Sequence, residues 1–463
     1  MNNHERPDLS RARQGMSERG GHILALTVLL SMAGVSRAQL EPGTVAIGSY
    51  DGFLVQEETF GLTLPSIQGT VSVKVRSEEG RLTAKVRSLG GQLKFSSPEW
   101  DSTSEHVCAA VLTARGGERL TLAVIDGKKM DGQLEFASPG GTPLVVVGSR
   151  NRFLDREDAE AQGLLADFRG YYTASLTQKT VVWEGAAHAA PRGIGYLTVT
   201  IGKRGSAKIA GRLADGTSVS QASQLIYIEG APVMYVPFFV PLYRKTGWIG
   251  GLLTIESGSG VLAAPIKVCW DKPGKGPDGF QMVLEVCGGY YSSLLGCCCG
   301  YGIMRSPLAA AYLFYGEAPS GMLYHTPGGG TAEYVDDAIL HGIGVETFGR
   351  RMVMDAGVKP VRNADRTYTY PPGNSALAKL KFNASTGIFR GTFNLYSDYA
   401  SELGKPCHKT VAVSYAGVLT PVRDVSFAGL PEGMGAYLVP DNDPAVAVYR
   451  LKRSFPCALS VAP

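Results

Sequence analysis

The most reactive side chains in this sequence are its eight cysteines: Cys108, Cys269, Cys287, Cys297, Cys298, Cys299, Cys407 and Cys457. Thiolates attack electrophiles and hold soft metals, and two thiols can close a disulfide. Structural zinc sites set one close-spaced pair of ligands against another. No Cys-x-x-Cys pair stands opposite a second one here, so no metal site is expected. An even count is compatible with disulfides, although eight cysteines admit 105 complete pairings. Three adjacent cysteines must reach different partners or keep a thiol, because a bridge between neighbours is strained. All eight are therefore disulfide candidates, with at least one bridge expected from Cys297–Cys299.

Other chemistry has weak support in the sequence. The seven histidines are scattered, with no H-E-x-x-H. His188, His325, His341 and His408 read as loop residues. Ser257-Gly258-Ser259-Gly260 follows Glu256, so it is not the G-x-S-x-G elbow of a serine hydrolase, and it reads as a turn. Gly328-Gly329-Gly330 opens no βα unit, which argues against a phosphate loop. Asp336-Asp337 and Asp441-Asn442-Asp443 lack calcium-loop spacing. No catalytic residue and no cofactor is expected from these patterns.

The elements that must carry any site are short strands. Leu197, Val199 and Ile201 alternate with Tyr196, Thr198 and Thr200, the period of two of a half-buried strand. Gly202-Lys203-Arg204-Gly205 then supplies a turn, and Ala207 and Ile209 return on the same face. Val71, Val73 and Val75, the turn Glu78-Glu79-Gly80, and Leu82, Ala84 and Val86 repeat the unit. A lone hairpin is marginal, so such pairs must belong to a larger closed or stacked sheet.

Three phrases align: Gly48-Ser49-Tyr50, Gly170-Tyr171-Tyr172 and Gly289-Tyr290-Tyr291. Their glycines are 122 and 119 residues apart, which predicts tandem modules. The expected fold is all-β, with antiparallel modules as small up-and-down β-barrels or, alternatively, β-sandwiches. The expected modules span 43–150, 168–279 and 280–463, with a charged linker at 151–167 whose sequence is compatible with a short helix. The third carries an insertion over 296–370.

The amino terminus reads as an export signal. Arg6, Arg11, Arg13 and Arg19 precede the apolar run His22–Val35, and Ser36-Arg37-Ala38 offers a cleavage site. Cleavage after residue 38 leaves 40 basic and 38 acidic residues, a net charge of +2. That balance indicates no nucleic-acid partner. The remaining chain has no long apolar run, so no transmembrane span is expected in it. The expected location is secreted or in the cell envelope, periplasm or outer surface.

Further phrases carry a family likeness. Leu213-Ala214-Asp215-Gly216-Thr217, Leu242-Tyr243, Trp270-Asp271-Lys272-Pro273, Gly279-Phe280, Thr386–Phe393, Gly417-Val418-Leu419 and Gly433–Leu438 are in this group. With them the chain resembles uncharacterised exported tandem β-domain proteins of the Planctomycetes and Verrucomicrobia type. The likeness covers most of 48–439 and fits best from Gly170 on, while the Cys-rich insertion departs from it. It implies architecture and export, and carries over no catalytic residue.

The leading functional expectation is a non-enzymatic structural or adhesive protein of the envelope, with envelope polysaccharide, a cell-surface protein or itself as partner. A small-ligand carrier with a barrel cavity and a polysaccharide-active enzyme are the alternatives. The insertion collects Tyr301, Tyr312, Phe314, Tyr315, Tyr324 and Tyr334, whose rings give large contact area at low entropy cost. They are the expected contact residues, with the third module's own core as their competing role.

Overall fold

The computed structural model describes residues 47–291 apart from short stretches at 78–80, 104–105, 139–140, 186–188, 230, 232 and 275–277. Beyond these it describes 311–315, 350–353, 361–365, 368–369, 379–383, 385–400, 403–420, 433–440 and 452–461. The expected export segment, 1–38, lies outside the described residues. The described residues are nearly all β, and antiparallel sheets form two nearly closed barrel-like modules in tandem.

The first module runs through β1 (Gly48–Gln56), β2 (Ser66–Val75), β3 (Leu82–Ser88), β4 (Gly91–Ser97) and β5 (Ser102–Thr103). It continues through β6 (Val107–Thr113), β7 (Arg119–Ile125), β8 (Lys129–Glu135) and β9 (Leu144–Arg150). The strand order is β4-β3-β2-β1-β9-β8-β7-β6-β5, so the first and last strands pair and the ring opens between β4 and β5. Period-two alternation builds the interior. Val71, Val73, Val75, Leu82, Ala84 and Val86 all face one buried cluster with Tyr50 and Leu54. Each such aliphatic burial contributes about 1.5–3 kcal/mol.

Arg150–Asp167, expected as a linker, does join the modules, but as docked structure. Phe153 of the short 3-10 turn Arg152–Leu154 and Ala161, Leu165 and Phe168 of α1 (Ala159–Phe168) are buried in the second module's core. Asp158 caps α1 by accepting from Ala161 N, and Arg152 clamps Asp158 with two hydrogen bonds. The charged residues hid an apolar face at helical spacing.

The second module repeats the plan with β10 (Gly170–Glu184), β11 (Gly195–Ile201), β12 (Ser206–Arg212), β13 (Ser218–Gln224) and β14 (Ile226–Tyr227). It ends with β15 (Val233–Leu242), β16 (Gly247–Glu256), β17 (Val261–Lys272) and β18 (Phe280–Tyr290). β18 pairs with β10 as β9 pairs with β1; Tyr172 lies opposite Tyr290 as Tyr50 lies opposite Arg150. The boundary expected between residues 279 and 280 therefore falls inside the second module. The Gly289-Tyr290 phrase is the end of its closing strand and not the opening of a third unit. Gly170 explains part of the likeness. At φ +152°, a Cβ there would stand 2.3 Å from the Tyr290 ring, so the first strand must begin on glycine.

The ring of the second module is completed by side chains. Pro237 on β15 has no N–H to give β13. Instead Ser223 Oγ donates to Pro237 O at 2.6 Å, and Phe239 N donates to Gln221 Oε1 at 2.7 Å.

The remaining strands are β19 (Ala311–Tyr315), β20 (Arg350–Val353), β21 (Val361–Arg362), β22 (Tyr368–Thr369), β23 (Lys379–Asn383), β24 (Ile388–Ala400), β25 (Pro406–Leu419), β26 (Gly433–Pro440) and β27 (Lys452–Val461). Seven of them form one sheet, β20-β19-β27-β26-β25-β24-β23. It docks on the second module through hydroxyl-to-carbonyl bonds. Thr173 Oγ1 donates to Leu419 O at 2.7 Å, Tyr171 OH to Thr386 O at 3.1 Å, and Ser454 Oγ to Ala214 O.

Candidate functional site

The two modules meet through outward-facing residues. β1 sends Tyr50 and Leu54 into its own core, while Phe53 and Val55 pack outside it against Phe239, Trp248, Leu252 and Ile266 of the second module. Ile67 joins this outer cluster because the pairing of β1 with β2 jumps at Leu54/Val55, leaving Gln68 as an extra residue. That bulge reverses which face of β2 Ile67 occupies. Contact is close enough that a Cβ on Gly250 would stand 2.4 Å from Ile67 O.

Beside this contact the modules leave a cleft of about 260 Å³. One wall is the outer face of β1–β3, with Asp51, Thr70, Ser72, Lys85 and Arg87. The other wall carries Ala222, Ser223, Gln224, Ile226 and Pro237 of β13–β15. Among the described residues Asp51 is the one carboxylate in the lining. Burial pushes its pKa above the usual carboxylate range, against a 2.7 Å hydrogen bond from Asn151 Nδ2 that lowers it. Gln224 Oε1 is buried with no hydrogen-bond partner, an uncommon state for an amide acceptor.

The first wall continues as a basic sheet face. Lys85 on β3 lies directly opposite Lys94 on β4, with Lys74 and Arg87 also exposed on the outer face. The second module adds to its rim. Tyr243, Arg244 and Lys245 have φ values of +50°, +60° and +69°, the left-handed region, in three consecutive non-glycine residues. This turn brings Lys245 Nζ to 3.8 Å from where a Cβ on Gly91 would lie. The turn is anchored below: Tyr243 OH donates to Asp215 Oδ2 at 2.7 Å and accepts from Trp270 Nε1 at 3.1 Å.

The expected contact residues are placed differently. Tyr312, Phe314 and Tyr315 lie on β19, paired with β20 on one side and β27 on the other, so this part of the 296–370 stretch is sheet. Tyr301, Tyr324 and Tyr334 lie outside the described residues. Among the cysteines, Cys108 is buried in the first module and Cys269 between the modules. Cys457 is buried in the third sheet, and Cys287 is exposed on β18. No bridge joins these four to one another. Cys407 lies on β25, and Cys297–Cys299 lie outside the described residues.

Sequence reasoning missed the cleft. Its one available signal was the outward residues of β3 and β4, which are threonine, lysine, arginine, glutamine and serine where acidic partners would be expected. No family model and no curated protein matches this chain.

Proposed function

We propose that this protein is a non-enzymatic structural or adhesive protein of an exported, envelope-associated type, acting by contact through the surface where its modules meet. The observation that carries this reading is the cleft and its basic rim. Both module interiors are packed with contiguous buried side chains, so the space offered to a partner lies outside them. This favours surface contact over a carrier with an internal cavity. Among the described residues the cleft contributes a single carboxylate, whereas glycoside hydrolysis uses two. The resemblance to exported tandem β-domain proteins agrees with an extracytoplasmic role.

The test is co-sedimentation of purified protein with isolated envelope. Ala222 is exposed on the cleft wall, so Ala222→Trp fills the cleft without touching either core. The wild type should pellet and the variant should lose at least ten-fold in affinity. Failure of the wild type to pellet, or release of soluble sugar by it, would overturn the reading.

A further inference from the structure

We infer that the ligand of this cleft is an acidic polysaccharide, held along the outer face of β2–β4; the inference rests on the contact role proposed above. Lys85 and Lys94 face each other across the β3–β4 ladder, where like charges lower stability. Outward residues on one strand are about 6.8 Å apart, so Lys85 and Arg87 make a second cationic step along β3, and Lys74 a third on β2. Among the described residues no carboxylate pairs with these four side chains. An unneutralised like-charge cluster on a folded sheet is explained if an anion completes it.

The rim points the same way. Three consecutive left-handed residues are strained, and such strain persists only where the surroundings impose it. Here its product is to set Lys245 beside the Ser88–Gly91 turn, at the Arg87 end of the cation row. The cations thus come from both modules.

The rest of the lining selects among polyanions. Thr70, Ser72 and Ser223 present hydroxyls. Sugars supply many such donors. Among the described residues no aromatic ring lines the cleft, and single-stranded nucleic acid binding uses rings to stack bases. Asp51 is the opposing feature, a carboxylate that repels an anion, and it makes the inference testable.

Binding is measured with sodium alginate, a polyuronate, against neutral dextran, a mixed-sequence single-stranded DNA and phosphatidylglycerol vesicles. Alginate should bind, and its affinity should fall with salt. Lys85→Gln/Lys94→Gln should weaken it at least ten-fold and flatten the log affinity against log salt slope by roughly one to two, about one per cation removed. The same double variant should unfold at a higher temperature, because the like-charge pair is gone; this separates lost binding from lost fold. Asp51→Asn should bind alginate more tightly. Equal binding of dextran, preference for DNA or vesicles, unchanged alginate affinity in the double variant, or weaker binding by Asp51→Asn would each overturn the inference. If the double variant still pellets with envelope like the wild type, the acidic ligand is wrong while the contact role stands. If the wild type does not pellet, both fall.

Discussion

Asp51 shows what one misplaced charge does to this protein. Its folded pKa is raised above the ordinary 3.8, first by burial, so its favourable contribution is present below pH 3.8 and is lost as pH rises through the folded value. At neutral pH the ionised group costs stability. Asp51→Asn should therefore raise the thermal midpoint at pH 7, and the gain should shrink below pH 4. An unchanged or lowered midpoint at pH 7 would show that the carboxylate is better satisfied than its burial implies. Cys269 gives the alkaline counterpart. Burial pushes its thiol from 9.0 to about 12, so stability is full below pH 9 and falls as pH rises towards 12, by about 1.4 kcal/mol per pH unit for one group. Burial pushes the Cys457 thiol up from 9.0 as well, so Cys269→Ala should roughly halve the slope of stability against pH between 9 and 10 without moving its onset. Above pH 10 Tyr50 and Tyr291, both raised to about 12 by burial, add to the loss.

At the scale of elements, two pieces decide how the modules join. Phe153 and α1 plug the second module, so the 151–167 stretch should resist limited proteolysis, and Phe153→Ala should cost about 3–5 kcal/mol in denaturant unfolding. Early cleavage there would mean the plug opens readily. The β2 bulge is the other piece. Deleting Gln68 should remove the bulge yet keep Ile67 opposite Val55 on the outer face, so the modules should stay docked. Small-angle scattering would show a molecule of unchanged length, and a lengthened one would mean that the bulge itself is needed for docking. The strands were legible because alternation at Val71–Val75 or Leu197–Ile201 reports directly on burial. The bulge was not, since Gln68 in a run of polar and small residues has no periodicity to break. The short helix was legible in the charged stretch, but its docking was not, because nothing local says that Ala161, Leu165 and Phe168 enter the second module's core. The cleft was invisible for a different reason: its walls come from β1–β3 and β13–β15, more than a hundred residues apart in sequence, and only docking brings them together.

At the scale of the whole molecule, the modules share one apolar contact. Trp248 sits at its centre, 5% exposed and stacked on Phe60 and Phe239 at 6.0 and 5.6 Å. Trp248→Ala should cost about 3–5 kcal/mol and split a single calorimetric transition into two. One undivided transition at the wild-type temperature would show that the modules unfold together for some other reason. No helix among the described residues is long and apolar enough to cross a membrane. The pairing of first with last strand also orders events during synthesis. Tyr50 meets Arg150, and Tyr172 meets Tyr290, so each module's opening strand leaves the ribosome long before its closing partner exists. Until then β1 and β10 each present an unpaired edge, the kind of template on which chains aggregate. Long-range closures of this sort are also slow. A nascent chain of this protein should depend on a holding chaperone during two separate windows, each ending abruptly when β9 or β18 emerges.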